Sequence, residues 1–238
     1  MRKVKILNIL KILLTLVVLL GILNIPLTTR QGINFEVHKL KMPLYIKVVE
    51  FIDRDYHYKK LAKRIIGGCT NDTERTLSLF EWTCENVRKD IPGNWPIIDD
   101  HVWSIIVRGY GMDDQLADVF TTLCVYAGFE ARILKLTNGS RKELVLSAIK
   151  LKDKWTLFDP YHRVYFTTPS GKIATVGNVL DNPSLIETKT GSILHHGIKY
   201  NEYLKGLPSI NFDKLPKPRA YRQNFFKRIF YEIKELFD

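Results

Sequence analysis

Five side chains in the middle of this chain are of the types that bind ligands or transfer protons: Arg108, Asp113, Asp114, Asp159 and His162. Carboxylates and an imidazole supply general acid–base chemistry when they converge on one cleft, and a guanidinium orients an anionic group beside them. Asp113 also has a simpler interpretation, because an aspartate at the start of a helix binds free backbone N–H groups as an N-cap. Both interpretations stay open, and neither requires a cofactor.

A helix and an antiparallel sheet have to position these residues. Gly109 and Gly111 precede apolar residues at helical spacing, from 117 to 127, and Gly128 ends the run. Short segments rich in β-formers follow at 131–137, 144–151 and 155–159. The sequence therefore predicts an α+β fold, with Asp113 at the start of the helix and Asp159 at the end of a strand.

The order and the residues of these elements resemble the transglutaminase-like superfamily, which has a papain-type fold. In that family an alanine lies four residues after the nucleophilic cysteine and a Gly-hydrophobic-x-Ala-Arg run follows. The matching residues here are Ala117, Gly128, Phe129, Ala131 and Arg132. A Trp-x-x-x-Asp-Pro run holds the family's third catalytic residue, and Trp155, Asp159 and Pro160 keep that spacing. The resemblance runs from Lys59 to Phe166 and implies a helix packed on an antiparallel sheet.

Two of the three catalytic positions of the family are substituted. Asp113 stands four residues before Ala117, where the family has cysteine, and the family's histidine falls at Leu144. A thiolate nucleophile depends on an imidazole that lowers its pKa and on a carboxylate that orients the imidazole. Since only Asp159 matches, the resemblance implies that thiol peptidase and transglutaminase activities are absent.

The other histidines and the cysteines are predicted to have ordinary structural roles. His101 is expected to be packed or at the surface, and the pair His195-His196 is expected in a surface loop because no third metal ligand is evident. No metal site is therefore predicted. Cys84 and Cys124 fall on apolar helix faces, as core thiols do. A disulfide between Cys69 and Cys84 stays open as an alternative.

The charge of the chain is concentrated at its ends. Lys and Arg outnumber Asp and Glu by 36 to 25, and eight of the eleven net positive charges lie in residues 1–11 and 214–238. A nucleic-acid surface would carry such charge on the folded domain, so nucleic acid is not a predicted partner. Charge near both termini favours anionic membrane lipid instead.

An uncharged run of 16 residues, 12–27, follows the basic start of the chain. With residues 6–11 it is long enough for a bilayer, which needs about 20 apolar residues. The small residues of a signal-peptide cleavage site do not follow it, although a cleaved signal peptide is the alternative. By the positive-inside rule we expect a single-pass anchor with a cytoplasmic N-terminus and an extracytoplasmic domain.

The expected organisation has four parts. A basic end and transmembrane anchor occupy 1–28, a connector and first helix 29–57, a transglutaminase-like domain 58–183, and a C-terminal extension 184–238. Residues 91–107 are predicted as a loop. The extension shows no clear period before 218, whereas residues 219–238 have the aromatic and basic faces of an interfacial helix.

Two functions from different classes are compatible with these features. The first is a non-catalytic binding or accessory protein at the cell envelope, with a protein or glycan partner, and the resemblance points to surface polysaccharide systems. The second is a hydrolase or transferase that uses Asp113 or Asp159 with His162 or His101. An open cleft at these residues would favour the second function, and a filled cleft the first.

The membrane anchor gives the first testable prediction. The full-length protein should stay in the membrane pellet through a carbonate wash, because about 20 apolar residues are buried in lipid. A variant that lacks residues 1–29 should appear in the soluble fraction and serves as the control. Release of the intact full-length chain by carbonate would contradict the anchor.

Overall fold

The computed structural model describes residues 2–33, 36–89, 101–139 and 142–223. Its helices are α1 (Arg2–Leu23), α2 (Leu44–Ile65), α3 (Asp72–Asn86), α4 (Val102–Arg108), α5 (Asp113–Tyr126), α6 (Val176–Asp181), α7 (Ser184–Thr190) and α8 (Tyr200–Leu204). Its strands are β1 (Pro26–Ile33), β2 (Glu36–Pro43), β3 (Glu130–Thr137), β4 (Glu143–Leu151), β5 (Lys154–Asp159), β6 (Val164–Tyr165), β7 (Leu194–His195) and β8 (Ile198–Lys199). The predicted α+β class is confirmed.

The central sheet is antiparallel, with the strand order β3-β4-β5-β6. Neighbouring residues of a strand point to opposite faces, and the sheet is buried on both. Ile149 and Phe158 belong to one hydrophobic cluster, which also contains the buried face of α5. Leu144, Leu146 and Leu157 belong to a second cluster on the opposite side. The sheet thus separates two cores.

Helix α5 lies at the centre of the first core. Phe120 is fully buried, and its ring centroid lies 5.6 Å from that of Phe80 in α3 and 5.2 Å from that of Phe158 in β5. The helix ends where the sequence predicts, because Gly128 adopts a φ of +96° that favours glycine. The amide of Phe129 then donates to the carbonyl of Cys124 over 2.9 Å, which turns the chain into β3.

The C-terminal extension completes the second core. Tyr200, Tyr203 and Leu204 of α8 are 0–3% exposed and pack with Leu134 and Leu144 of the sheet. The predicted boundary at residue 183 therefore does not separate two cores. The sequence shows no clear period here because the extension consists of short elements: α7, a two-stranded hairpin, α8 and 3₁₀ turns. Each of these elements is too short to show a helical or strand period in the sequence.

Two segments predicted as irregular have regular structure. The connector after residue 28 is part of an antiparallel hairpin in which β1 pairs with β2, from Pro26 opposite Pro43 to Ile33 opposite Glu36. The end of the predicted loop at 91–107 is helix α4, and residues 90–100 lie outside the described part of the chain. The helix forms because the side chain of His101 accepts a hydrogen bond from the amide of Trp103 and Ile105 is buried.

The apolar helix α1 contains an 18-residue stretch, Ile6–Leu23, that is long and apolar enough to cross a membrane and is not buried against the rest of the protein. By length and composition a signal sequence qualifies equally. At the other terminus Arg219–Arg222 forms a 3₁₀ turn. The rest of the predicted interfacial helix lies outside the described residues.

The aromatic core around α5 predicts a large loss of stability for Phe120→Ala. Removal of this fully buried ring should lower the free energy of unfolding by about 3–5 kcal/mol, because a cavity remains. Val107→Ala is the control, since Val107 is 70% exposed and should cost no more than about 0.5 kcal/mol. Urea unfolding of the full chain in non-ionic detergent measures both. Equal losses would contradict this packing.

Candidate functional site

Asp113 is the first residue of α5, and Met112 takes the N-cap position. The predicted N-cap role of Asp113 is therefore wrong by one position. The amide of Met112 donates to Gln115 Oε1 over 3.1 Å, so the glutamine caps this helix start. Asp113 Oδ1 accepts from the amide of Asp114 over 2.9 Å. Its second oxygen, Oδ2, faces His195 at 3.5 Å.

Arg108 supports the start of the helix. Its guanidinium donates to the carbonyl of Tyr110 over 2.9 Å and to Gln115 Oε1 over 2.7 Å. The loop before α5 is thereby tied to the residue that caps the helix. These two hydrogen bonds give Arg108 a positioning role at the predicted site. The amide of Asp114 is bound to Asp113.

His195 reaches Asp113 from the C-terminal extension. It ends β7, and the next two residues, His196 and Gly197, have φ angles of +51° and +81°, as a two-residue hairpin turn of type I′ requires. The hairpin turns His195 inward, where it is 3% exposed, while His196 is at the surface. The prediction that both histidines lie in a surface loop is therefore wrong for His195. In the sequence, the pair His196-Gly197 is the feature that could have indicated this hairpin turn.

The carbonyl of Glu143 determines the tautomer of His195. It lies 2.9 Å from Nε2, and because a carbonyl only accepts, this nitrogen carries the proton. Burial lowers the pKa of His195 and the neighbouring His196 and His162 lower it further, whereas the bond to Glu143 and the charge of Asp113 oppose the shift. The net effect is a lowered pKa, so the imidazole is neutral at pH 7.

A second group of polar residues surrounds the carboxylate of Asp159, which is 1% exposed. Its Oδ2 accepts from the hydroxyl of Tyr200 and from Nδ1 of His162, both over 2.8 Å. Its Oδ1 accepts from the amide of His162 over 2.9 Å. Burial, together with the charge of Asp159, raises the pKa of Tyr200 well above its ordinary value. The phenol therefore remains a donor.

The two groups meet through their imidazoles. The rings of His162 and His195 lie edge to face, with centroids 4.9 Å apart. Contacts thus run from Asp113 through His195 and His162 to Asp159. The predicted residues Asp113, Asp159 and His162 are brought into one cluster, to which the structure adds His195 and Tyr200.

Leu144 lies on the other side of the sheet from α5. It is 1% exposed in the second core, whereas Ser147 of the same strand donates to the carbonyl of Ala117 in α5 over 3.4 Å. The backbone next to Leu144, the carbonyl of Glu143, holds His195. An imidazole therefore does stand at the start of β4, although it comes from another segment. His101 contacts Tyr58 and Gln223 instead.

The three cysteines do not supply a nucleophile at this cluster. All are free, so no Cys69–Cys84 disulfide forms; the sulfur of Cys69 lies beside Ser78, which is six residues, or about 9 Å along α3, from Cys84. Cys84 Sγ lies 3.5 Å from the carbonyl of Pro160, and burial raises the pKa of Cys84 to about 12. Complete burial likewise raises the pKa of Cys124. Cys69 pairs with Ser78 over 3.3 Å.

Two cavities are lined by residues that the structure describes, one near the cluster around Asp113 and Asp159 and one further away. One of about 310 Å³ is lined by Cys84, Arg88, Leu116, Tyr161 and others. Another of about 470 Å³ is at the opposite end of α5, beside Tyr126 and Glu130. The lining of neither includes Asp113, Asp159 or His195. Of the side chains that the sequence predicts to line a cleft, Asp159 is buried, Arg108, Asp113 and His162 are half-buried, and Asp114 is exposed.

Residues 59–160 match the family described as the transglutaminase-like superfamily. The chain carries a transglutaminase-like domain. The match contains Asp113, Leu144 and Asp159 but not His195 or Tyr200, so the residues that cover the cluster come from outside the family region.

Solved structures similar to this chain are described as proteases or as a TGase. A candidate cysteine protease from Cytophaga hutchinsonii has a TM-score of 0.39 and 17% identity, over 56% of this chain and 48% of that chain. A candidate protease from Parabacteroides distasonis has a TM-score of 0.37 and 12% identity, over 56% of this chain and 35% of that chain. A structure described as a TGase has a TM-score of 0.35 and 12% identity, over 56% of this chain and 44% of that chain. The chain spans less than half the length of each. No curated protein matches it.

The buried carboxylate predicts the effect of Tyr200→Phe. This change removes one of the donors to Asp159 and leaves its oxygen without that bond, which should cost about 1–3 kcal/mol of unfolding free energy. Tyr56→Phe is the matched control, because Tyr56 is 56% exposed. Urea unfolding in detergent compares the two. A Tyr200→Phe variant as stable as the control would mean that the hydrogen bond does not hold the extension in place.

Proposed function

We propose that this protein is a membrane-anchored transglutaminase-like domain without thiol chemistry, which acts as a non-catalytic binding or accessory protein at the cell envelope. The observation that carries the proposal is the carboxylate of Asp113 at the start of α5, where the family places its nucleophilic thiol. An ionised carboxylate is a weak nucleophile toward amides, and a neutral imidazole beside it has no thiol to activate.

The buried thiols support this proposal. Cys84 is the cysteine that contacts the segment after Asp159, yet a pKa of about 12 keeps it protonated at pH 7, whereas the thiolate is the reactive species. Its geometry is also that of a core residue, since it packs within the first hydrophobic cluster. Cys84 therefore does not provide a substitute thiol nucleophile.

The covered cluster is the second support. Asp159, His195 and Tyr200 are each no more than 3% exposed, so a polymer substrate has no direct access to them. Hydrogen bonds from the extension to Asp159 and Glu143 use the acceptors that an open site would present. An accessory protein needs a stable domain surface rather than an open cleft, and a glycan or protein partner in a surface polysaccharide system would bind that surface.

A second function is favoured by one observation. Asp159 holds Nδ1 of His162 at 2.8 Å, which is the orientation of a general base by a carboxylate, and His195 stands between this pair and Asp113. If the extension moved away, His195 would leave with it, and Asp113, His162 and Asp159 would form an acid–base site for a hydrolase or transferase. Such an enzyme would not depend on a thiol.

The proposal predicts that the protein has no thiol-dependent activity. In non-ionic detergent, the full chain should neither incorporate an amine into a glutamine-rich protein nor hydrolyse a peptide library in an iodoacetamide-sensitive way. A thiol transglutaminase and a papain-type protease serve as positive controls. Iodoacetamide-sensitive turnover would overturn the proposal. Turnover of a glycan or peptide that resists iodoacetamide and is lost in His162→Gln would establish the second function instead.

A further inference from the structure

Three potential metal ligands converge at the start of α5, although no metal site is predicted from the sequence. Asp113, His195 and His196 each offer one ligand atom, and these atoms all lie within 4.8 Å of one another. The two histidines belong to the extension and the aspartate to the transglutaminase-like domain. The third ligand that the histidine pair lacks in the sequence is thus supplied by a residue 82 positions away.

Backbone contacts hold the three residues in this arrangement. The hydrogen bond from Nε2 of His195 to the carbonyl of Glu143 fixes that ring at 2.9 Å, and Lys142 donates to the carbonyl of His196 over 2.8 Å. Asp113 uses Oδ1 for the amide of Asp114, which leaves Oδ2 directed at His195. The ring of His195, the carboxylate of Asp113 and the backbone of His196 are therefore positioned before any ion arrives, which lowers the cost of binding.

Nε2 is the nitrogen of His195 that faces Asp113. It lies 3.5 Å from Asp113 Oδ2 and 2.9 Å from the carbonyl of Glu143. An ion bound between His195 and Asp113 would take the place of the Nε2 proton, and Nδ1 would then carry the proton of the neutral ring.

The donor set selects the class of ion. Two imidazoles and one carboxylate suit Zn²⁺ and other divalent transition ions, whereas Mg²⁺ and Ca²⁺ prefer oxygen ligands. Bonds of about 2.0–2.2 Å place ligand atoms about 3–4 Å apart, so the group has to close slightly. The exposed His196 can do this by rotation of its side chain.

A cation at this site needs the carboxylate of Asp113 because of the positive charge nearby. The N-terminus of α5 carries a partial positive charge that opposes a cation, and Asp113 neutralises it. Lys135 is paired with Glu143 over 2.9 Å, and Lys142 is bound to a carbonyl. A direct contact between Asp113 and His195 would account for those two residues, but it gives no role to His196, whose ring centroid lies 4.1 Å from that of His195.

We infer that Asp113, His195 and His196 bind a divalent transition ion of the Zn²⁺ class. The ion joins the C-terminal extension to the start of α5, directly over the position where the family has its thiol. Three protein ligands leave a coordination position for water or for a group of a partner. This inference is independent of the accessory role proposed above.

Zinc titration of the full-length chain tests the site. The protein, without a polyhistidine tag, is stripped with a chelator in non-ionic detergent and titrated with Zn²⁺ in competition with a chromophoric chelator. We expect one bound equivalent. His196→Asn and Asp113→Asn should each weaken binding by at least about tenfold, and the loss for Asp113→Asn should be at least as large because the opposing helix dipole is then unscreened.

His57→Asn is the matched control, because His57 also faces an aspartate, Asp53 at 3.3 Å, on the exposed side of α2. Its affinity should stay within about twofold of the unmodified protein, since it lacks the second imidazole. Zn²⁺ should also raise the melting temperature of the unmodified protein and of His57→Asn, but not of His196→Asn. Because His196 is exposed, its replacement leaves the fold intact where a change of buried His195 would not.

Three results would overturn the inference: no bound zinc at micromolar concentration, unchanged affinity in both His196→Asn and Asp113→Asn, or an equal loss in His57→Asn. None of these readouts depends on a catalytic activity. Failure of the zinc site and failure of the accessory role are therefore distinguishable.

Discussion

The buried carboxylate of Asp159 is the constraint on which the site depends. A charged group that is 1% exposed is stable only when its oxygens are hydrogen-bonded, and here the donors are His162 and Tyr200. His162 is local, three residues further along the chain. Tyr200 belongs to the extension, so satisfying Asp159 requires the extension to pack across the sheet.

The position of the extension decides what the site contains. Once Tyr200 and Tyr203 are in the second core, the hairpin before them lies at the start of β4, where Glu143 binds His195. An imidazole is thereby placed next to Asp113, while the elements that bring it also cover it. The same packing both completes a row of titratable groups and restricts access to them.

Much of the domain could be predicted because its signals are local. The periodic apolar residues of α5, the stop at Gly128 and the β-rich segments before Asp159 each specify an element within about a dozen residues. The superfamily follows from residues inside these elements, Ala117 and Trp155 among them. The extension, α4 and the β1–β2 hairpin were not predicted, because short elements depend on tertiary contacts and not on period or propensity.

The sequence by itself determined the α+β core, the superfamily, the aspartate four residues before Ala117 and the apolar N-terminal helix, since each depends on residue identity or on short-range spacing. Only the tertiary structure decided that His195 lies against Asp113 and the carbonyl of Glu143, that Leu144 faces the second core, and that Asp113 meets two histidines. The contacts of His195 with Glu143 and Asp113 join residues 52 and 82 positions apart. No local pattern encodes them, because they result from the packing of the extension against the sheet.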